Sequence, residues 1–184
     1  ASIEGASNGR SPDWLRHLLL AVGQRPIDLF VDLSNFVMLD LAQPNHLFDR
    51  RQLSPEGIVV RDARVGESLK TLDDVVRALE PSDLLITSGG TAIGLAGIMG
   101  GADSEIRPET ADVLIESAFF TPETVRRTAR RLGLTSDSSY RFERGVDPGG
   151  TRAALERVTH LIGAHAGGEV AKGVLEDRAP GRRA

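Results

Sequence analysis

The chain contains no cysteine, which excludes disulfides and thiolate metal sites and fits a reducing compartment such as the cytoplasm. No apolar run reaches the roughly 18 residues of a membrane-crossing helix, so no membrane partner is expected. Histidine is scarce: His17, His46, His160 and His165 are the four. No two of them have metal-ligand spacing, so no metal is expected. Lysine is nearly absent, since 20 of the 22 basic residues are Arg. The sequence also lacks an initiator Met and a leader pattern, which reads as a processed or excerpted chain. A covalent nucleophile is wanting as well. Ser88 sits in "TSGGT" rather than G-x-S-x-G, and no Asp/His order completes a triad.

What is present suits a globular protein. The 184 residues, 40% hydrophobic and 26% charged, bury a real core as one large domain or two small ones. The net charge of −4 argues against non-specific nucleic-acid binding, but the charge is uneven. Between Val125 and Arg157 there are eight Arg against four acids. That patch is either a solvated helix face or a local phosphate contact. Residues 1–10 and 176–184 read as flexible ends around a domain over 11–175.

Along the chain, Ser11-Pro12 opens a helix, with Ser as N-cap and Pro at the first helical position. Trp14, Leu15, Leu18, Leu19 and Val22 form its apolar face and Gly23 stops it. "PIDLFVDL" reads as a strand. Ser34 or Asn35 then caps a short apolar helix that Pro44 must end, with His46 in the turn that follows. From Gly57 to Met99, "GIVVRDAR", "ESLKTL", "VVRAL", "DLLITS" and "TAIGLAGIM" read as short antiparallel strands. "TLDDVVRAL" is open between strand and helix, because Thr71 is also a possible cap. "DVLIESAFF" is a further strand. Thr121-Pro122 starts a helix that Gly133 stops. Asp147-Pro148 starts a longer one, with Leu155, Val158, Leu161 and Ile162 inward, ending near Gly167-Gly168. "EVAKGVLED" reads as a last strand. The class is α+β, a mostly antiparallel sheet or barrel with helices before and after it.

Three places stand out chemically. Glu116, in "VLIESAFF", shares a strand face with Leu114, Ala118 and Phe120, where an ionised carboxylate is costly without a partner. It has two readings, a structural ion pair with an Arg or a carboxylate aimed into a pocket to accept a ligand's hydrogen bond. Gly94, Gly97, Gly100 and Gly101 mark either a tight hairpin or a backbone that something approaches closely. "GLTSDSSYRFERGVDPGG" is a capped loop or the mouth of a site, with Arg141 and Arg144 near for phosphate.

Taken in order, "VDLSNFVMLDLAQPNHLFD", "AGIMGG", "LIESAFFTPETVRRTARRLGL" and "SDSSYRFERGVDP" resemble the bacterial phenylalanyl-tRNA synthetase beta subunit, in its central third-and-fourth module, over roughly residues 11–175. The resemblance implies a Greek-key β-barrel-like fold of about six strands decorated with helices. It implies an editing module that hydrolyses tyrosine misattached to the phenylalanine tRNA. Its partners are then the tRNA 3′ end, the alpha subunit and the rest of the beta subunit in a heterotetramer. No cofactor is expected here, since ATP and magnesium serve the synthetic site elsewhere. Glu116 matches the glutamate that reads the phenolic hydroxyl. Ser34 and Asn35 match a Thr-Asn pair facing the ester and the terminal adenosine. Pro44 and His46 match a Pro-x-His flanking the pocket, and His46 binds the adenosine end or holds the attacking water. Gly97 and Gly100 let the backbone approach the tyrosyl group, and Ser136 and Ser138 match pocket-shaping positions. Ser34, Phe36 and Ser138 depart from the usual Thr, Tyr and Ala. A non-catalytic module that docks tRNA and packs against neighbours is the alternative.

Overall fold

The computed structural model describes residues 1–177. They divide into two compact units, each assembled from separated stretches of chain. The first takes residues 1–47, 106–117 and the chain from 147 onward, and the second takes 48–105 and 118–146.

The first unit begins with β1 (Ser2–Glu4), where the sequence suggested a frayed end. Ile3 is wholly buried, and β1 pairs antiparallel with both β9 (Val113–Ser117) and β10 (Glu169–Val170). Three residues are too few to show alternation, so nothing in the pattern announces this strand. β2 (Asn45–Asp49) completes the sheet in the order β10-β1-β9-β2. Three helices join it. α1 (Asp13–Ala21) buries Leu15 and Leu19. Pro12 occupies its N-cap position, and Ser11 Oγ donates 2.6 Å away to Asp32 Oδ2 instead of capping.

α2 (Leu29–Leu41) corrects the expected strand over "PIDLFVDL" and the expected cap at Ser34 or Asn35. The helix starts earlier because Asp28 Oδ1 accepts from the Val31 N–H. Asp32, buried in the first turn, accepts from the Ile27 N–H at 2.7 Å. Two carboxylates at a helix N-terminus meet orphan N–H groups and the positive end of the dipole, and this outweighs the β-like composition. Ser34 and Asn35 are therefore mid-helix. The helix ends at Leu41, with Ala42 left-handed, before Pro44 is reached. His46 lies in β2, not in a turn.

α5 (Gly150–Ala166) buries Leu155, Val158, Leu161 and Ile162 as its spacing predicts, and packs on α2 and β9. Past its end, Gly168 has φ +88, and a Cβ there would stand 2.8 Å from Glu4 O. Only glycine lets the chain turn so close beside β1.

The second unit holds β3 (Ile58–Asp62), β6 (Leu84–Ser88), β7 (Thr91–Leu95) and β8 (Met99–Gly100) as one antiparallel sheet in the order β3-β6-β7-β8. β4 (Ser68–Lys70) and β5 (Val76–Ala78) make a separate hairpin. That settles "TLDDVVRAL" in favour of strand, since Thr71 and Asp73 hold Arg77 across the turn. α3 (Pro122–Leu132) runs between the expected signals Thr121 and Gly133. α4 (Asp137–Phe142) replaces the expected loop in "SDSSYRF". The α+β class with antiparallel sheets holds. A single closed barrel does not form among the described residues, where the strands fall into three sheets. The expected tail over 176–184 lies almost wholly outside the described residues.

Candidate functional site

In the first unit the singled-out residues come from α2, β2 and β9. Glu116 is near the end of β9, beside β2 in the sheet. The residue is only partly buried, but its Oε2 is closed off from solvent and has no hydrogen-bond partner among the described residues. Among the described residues no arginine pairs with it, which favours the pocket reading over the ion pair. Burial pushes its pKa up from the usual carboxylate value to about 7. Loss of hydration disfavours the charged form, and nothing nearby restores it.

His46, on β2, is shifted the other way. Burial lowers its pKa to about 4, so the imidazole is neutral at pH 7. A neutral ring offers one N–H donor and one acceptor nitrogen, and at that pKa it is a weak base.

Ser34 and Asn45 form a reciprocal pair joining α2 to β2. Ser34 Oγ donates to Asn45 Oδ1 at 2.8 Å, and Asn45 Nδ2 donates to Ser34 O at 3.2 Å. Asn35 is half-buried, one position further round α2, and Pro44 is buried where the chain enters β2. Gln43 Nε2 donates to Pro44 O at 3.2 Å. The sequence places Asn45 in the turn with Pro44 and His46 but gives it no site role. An Asn after a Pro is ordinary turn chemistry, and its one distinguishing signal is its place between Pro44 and His46.

In the second unit, Gly97, Ser136 and Ser138 meet at one turn. Gly97 has φ +70, and a Cβ there would lie 3.0 Å from Phe120 Cδ2, 3.0 Å from Phe142 Cδ2 and 3.2 Å from Val125 Cγ2. Those core groups account for the bare backbone. Ser138 Oγ donates to Gly97 O at 3.2 Å, and Ser136 Oγ donates to Ile98 O at 2.6 Å. Ser136 is also the N-cap of α4, and a reciprocal bond with Ser139 makes a capping box. Gly100 lies in β8, opposite Gly94, and its carbonyl accepts from the Leu72 N–H. Arg141 Nη1 holds Asp137 Oδ1 at 3.1 Å, and Arg144 stacks 3.6 Å over the exposed Tyr140 ring. Among the described residues no three His, Asp or Glu side chains gather as a metal-binding group.

The chain belongs to the B3/4 domain family, whose sequence model matches residues 1–167. Its relatives then narrow the kinship to one kind of subunit. It is 47% identical to the phenylalanine–tRNA ligase beta subunit of Bacillus cereus (strain ZK / E33L) over 174 residues, 95% of this chain and 22% of that protein. It is 50% identical to the beta subunit of Anaeromyxobacter dehalogenans (strain 2CP-C) over 177 residues, 96% of this chain and 22% of that one. The beta subunit of Halalkalibacterium halodurans is 49% identical over 174 residues, again 95% of this chain and 22% of its own length. The chain thus spans about a fifth of the relatives it matches. No helix among the described residues is long and apolar enough to cross a membrane.

Proposed function

We propose that the chain is the tRNA-editing module of a phenylalanine–tRNA ligase beta subunit, hydrolysing the ester that links misattached tyrosine to the phenylalanine tRNA. The observation that carries this reading is Glu116 Oε2, enclosed and unpartnered in a greasy strand. A phenylalanine-sized apolar pocket rejects an added hydroxyl by only ~10²-fold, so charging alone passes some tyrosine. A second pocket with a buried acceptor reverses the preference. The tyrosine phenol satisfies the acceptor, whereas phenylalanine leaves it dry, at about 1–3 kcal/mol.

In this reading Glu116 selects, and the chemistry is water attack on the ester carbonyl. The new carbon–oxygen bond forms as the bond to the ribose oxygen breaks, and the water's proton ends on that ribose oxygen. No protein nucleophile enters, so the rate comes from positioning and from polar groups around the reacting atoms. His46, neutral at the working pH, is a holder of water or adenosine. Ser34, Asn35 and Pro44 shape the ester end. Ser136 and Ser138 act by fixing the turn at Gly97, and Gly100 keeps that hairpin narrow. Arg144 and Arg141 present their outer N–H groups to tRNA phosphate. The module takes no cofactor of its own. Its setting is the cytoplasmic heterotetramer, with the alpha subunit, the rest of the beta subunit and the tRNA 3′ end as partners.

The test is deacylation of tyrosyl-tRNA by the intact ligase carrying Glu116→Ala. Clearance of tyrosine is expected to fall by on the order of 10²-fold, as for loss of a charged hydrogen bond. Clearance at the parental rate sinks the reading of Glu116. A parent with no deacylation at all leaves the chain a tRNA-docking module instead.

A further inference from the structure

The Ser34–Asn45 pair carries more than a tie between α2 and β2. A backbone carbonyl only accepts hydrogen bonds. The Asn45 group 3.2 Å from Ser34 O must therefore be the amide nitrogen, which fixes the orientation of that side chain. Its oxygen then faces Ser34 Oγ at 2.8 Å, and the backbone oxygen of Asn45 lies 3.4 Å from the same hydroxyl. Both of those neighbours accept only. The one proton of the Ser34 hydroxyl is committed to them. A serine within a helix commonly bends that proton back to the carbonyl four residues earlier. Here Asn45 takes it from the side.

Building on the proposed function, we infer that Asn45 is a positioning residue that turns Ser34 into a hydrogen-bond acceptor at the ester, where Ser34 holds an O–H donor. The donor is the attacking water or the free hydroxyl of the terminal ribose; both present the same O–H chemistry. An acceptor here does two things. It draws one hydrogen of the donor toward itself, which turns that oxygen's lone pair toward other atoms. It also removes Ser34 from stabilising the oxyanion, a task that needs a donor. Asn45 touches no reacting atom in this account and works only through Ser34.

The test is a double-mutant cycle in the intact ligase, read as kcat and KM for tyrosyl-tRNA deacylation. Ser34→Ala and Asn45→Leu are each expected to lower kcat by about tenfold, the worth of one hydrogen bond, with KM little changed. The double variant is expected to be no slower than either single one, because Asn45 acts through Ser34. In a Ser34→Thr background, which restores the hydroxyl, Asn45→Leu again costs about tenfold. Losses that multiply, or an Asn45→Leu ligase as fast as its parent, overturn the inference while the editing function stands. A parent that clears no tyrosine overturns both. The source of the donor is read with tRNA whose terminal ribose lacks the free hydroxyl. If the ribose is the donor, the Ser34→Ala penalty vanishes on that substrate; if water is, the penalty persists. A merely structural Asn45 lowers thermal stability and leaves the two kcat effects independent.

Discussion

The two units treat a buried carboxylate in different ways. In the second, Asp83 is fully buried and fully answered: Thr128 Oγ1 donates to it at 2.9 Å, the Glu80 N–H at 2.8 Å, and Arg131 pairs with it. In the first, Asp32 is equally buried and answered by Ser11 and Ile27, yet Glu116 keeps an enclosed oxygen with no partner. A satisfied carboxylate behaves as a structural joint. An unsatisfied one is a standing cost that a proton or a ligand relieves. The contrast within the first unit matters most, because the same stretches of chain that satisfy Asp32 leave Glu116 bare.

The sharpest way to break the comparison is to remove Asp83. Asp83→Ala leaves the Thr128 hydroxyl and the Glu80 N–H without their acceptor and Arg131 with Glu80 as its ion-pair partner, and urea denaturation is expected to show a loss on the order of 3–4 kcal/mol. Asp32→Ala frees the Ser11 hydroxyl and the Ile27 N–H at the head of α2, with an expected cost on the order of 2–3 kcal/mol in the same assay. Glu116→Gln must go the other way. Its raised pKa of about 7 means that the folded state holds the proton more tightly than the unfolded chain, whose value is near 4.5. Stability from that proton is complete below pH 4.5 and is lost as pH rises to about 7. Above pH 7, Glu116→Gln is therefore expected to be more stable than the parent by on the order of 1–2 kcal/mol, allowing for its partial exposure. At pH 4 the two should match.

His46 supplies the opposite slope. Its folded pKa of about 4 lies below the ordinary 6.5, so its contribution is complete above 6.5 and lost as pH falls toward 4. Between these limits the Glu116 and His46 slopes oppose one another. His46→Gln should expose the Glu116 slope on its own, with a change on the order of 1 kcal/mol across pH 5–6.5. A parent whose stability already falls steeply over that range contradicts the His46 assignment.

Much of the second unit was legible in sequence. Its strands carry branched residues between Gly, Asp and Pro, and α3 has a Pro and a Gly at its ends. α2 was not legible, because "PIDLFVDL" has strand composition, and the local caps that start the helix, Asp28 on the Val31 N–H and Asp32 on the Ile27 N–H, are backed by a bond from outside the segment. Ser11 reaches Asp32 across 21 positions, and no local window contains that bond. Glu116 was legible because a carboxylate in an apolar strand is already a conflict. Asn45 was not, because its meaning depends on which carbonyl its amide meets.

The strand at Ser2–Glu4 has a consequence for the chain as it emerges from the ribosome. The Ala1 amine donates to Ile115 O, 114 positions later, and β10 is made later still. At about 5–20 residues per second, Ile3 waits roughly 6–20 s for its first neighbour strand. During that interval the hairpins between Ile58 and Gly100 are complete within their own stretch of chain, so the second half of the sheet inventory is ready before the first can close. Within residues 1–177, the stretch made first is therefore among the last to be buried.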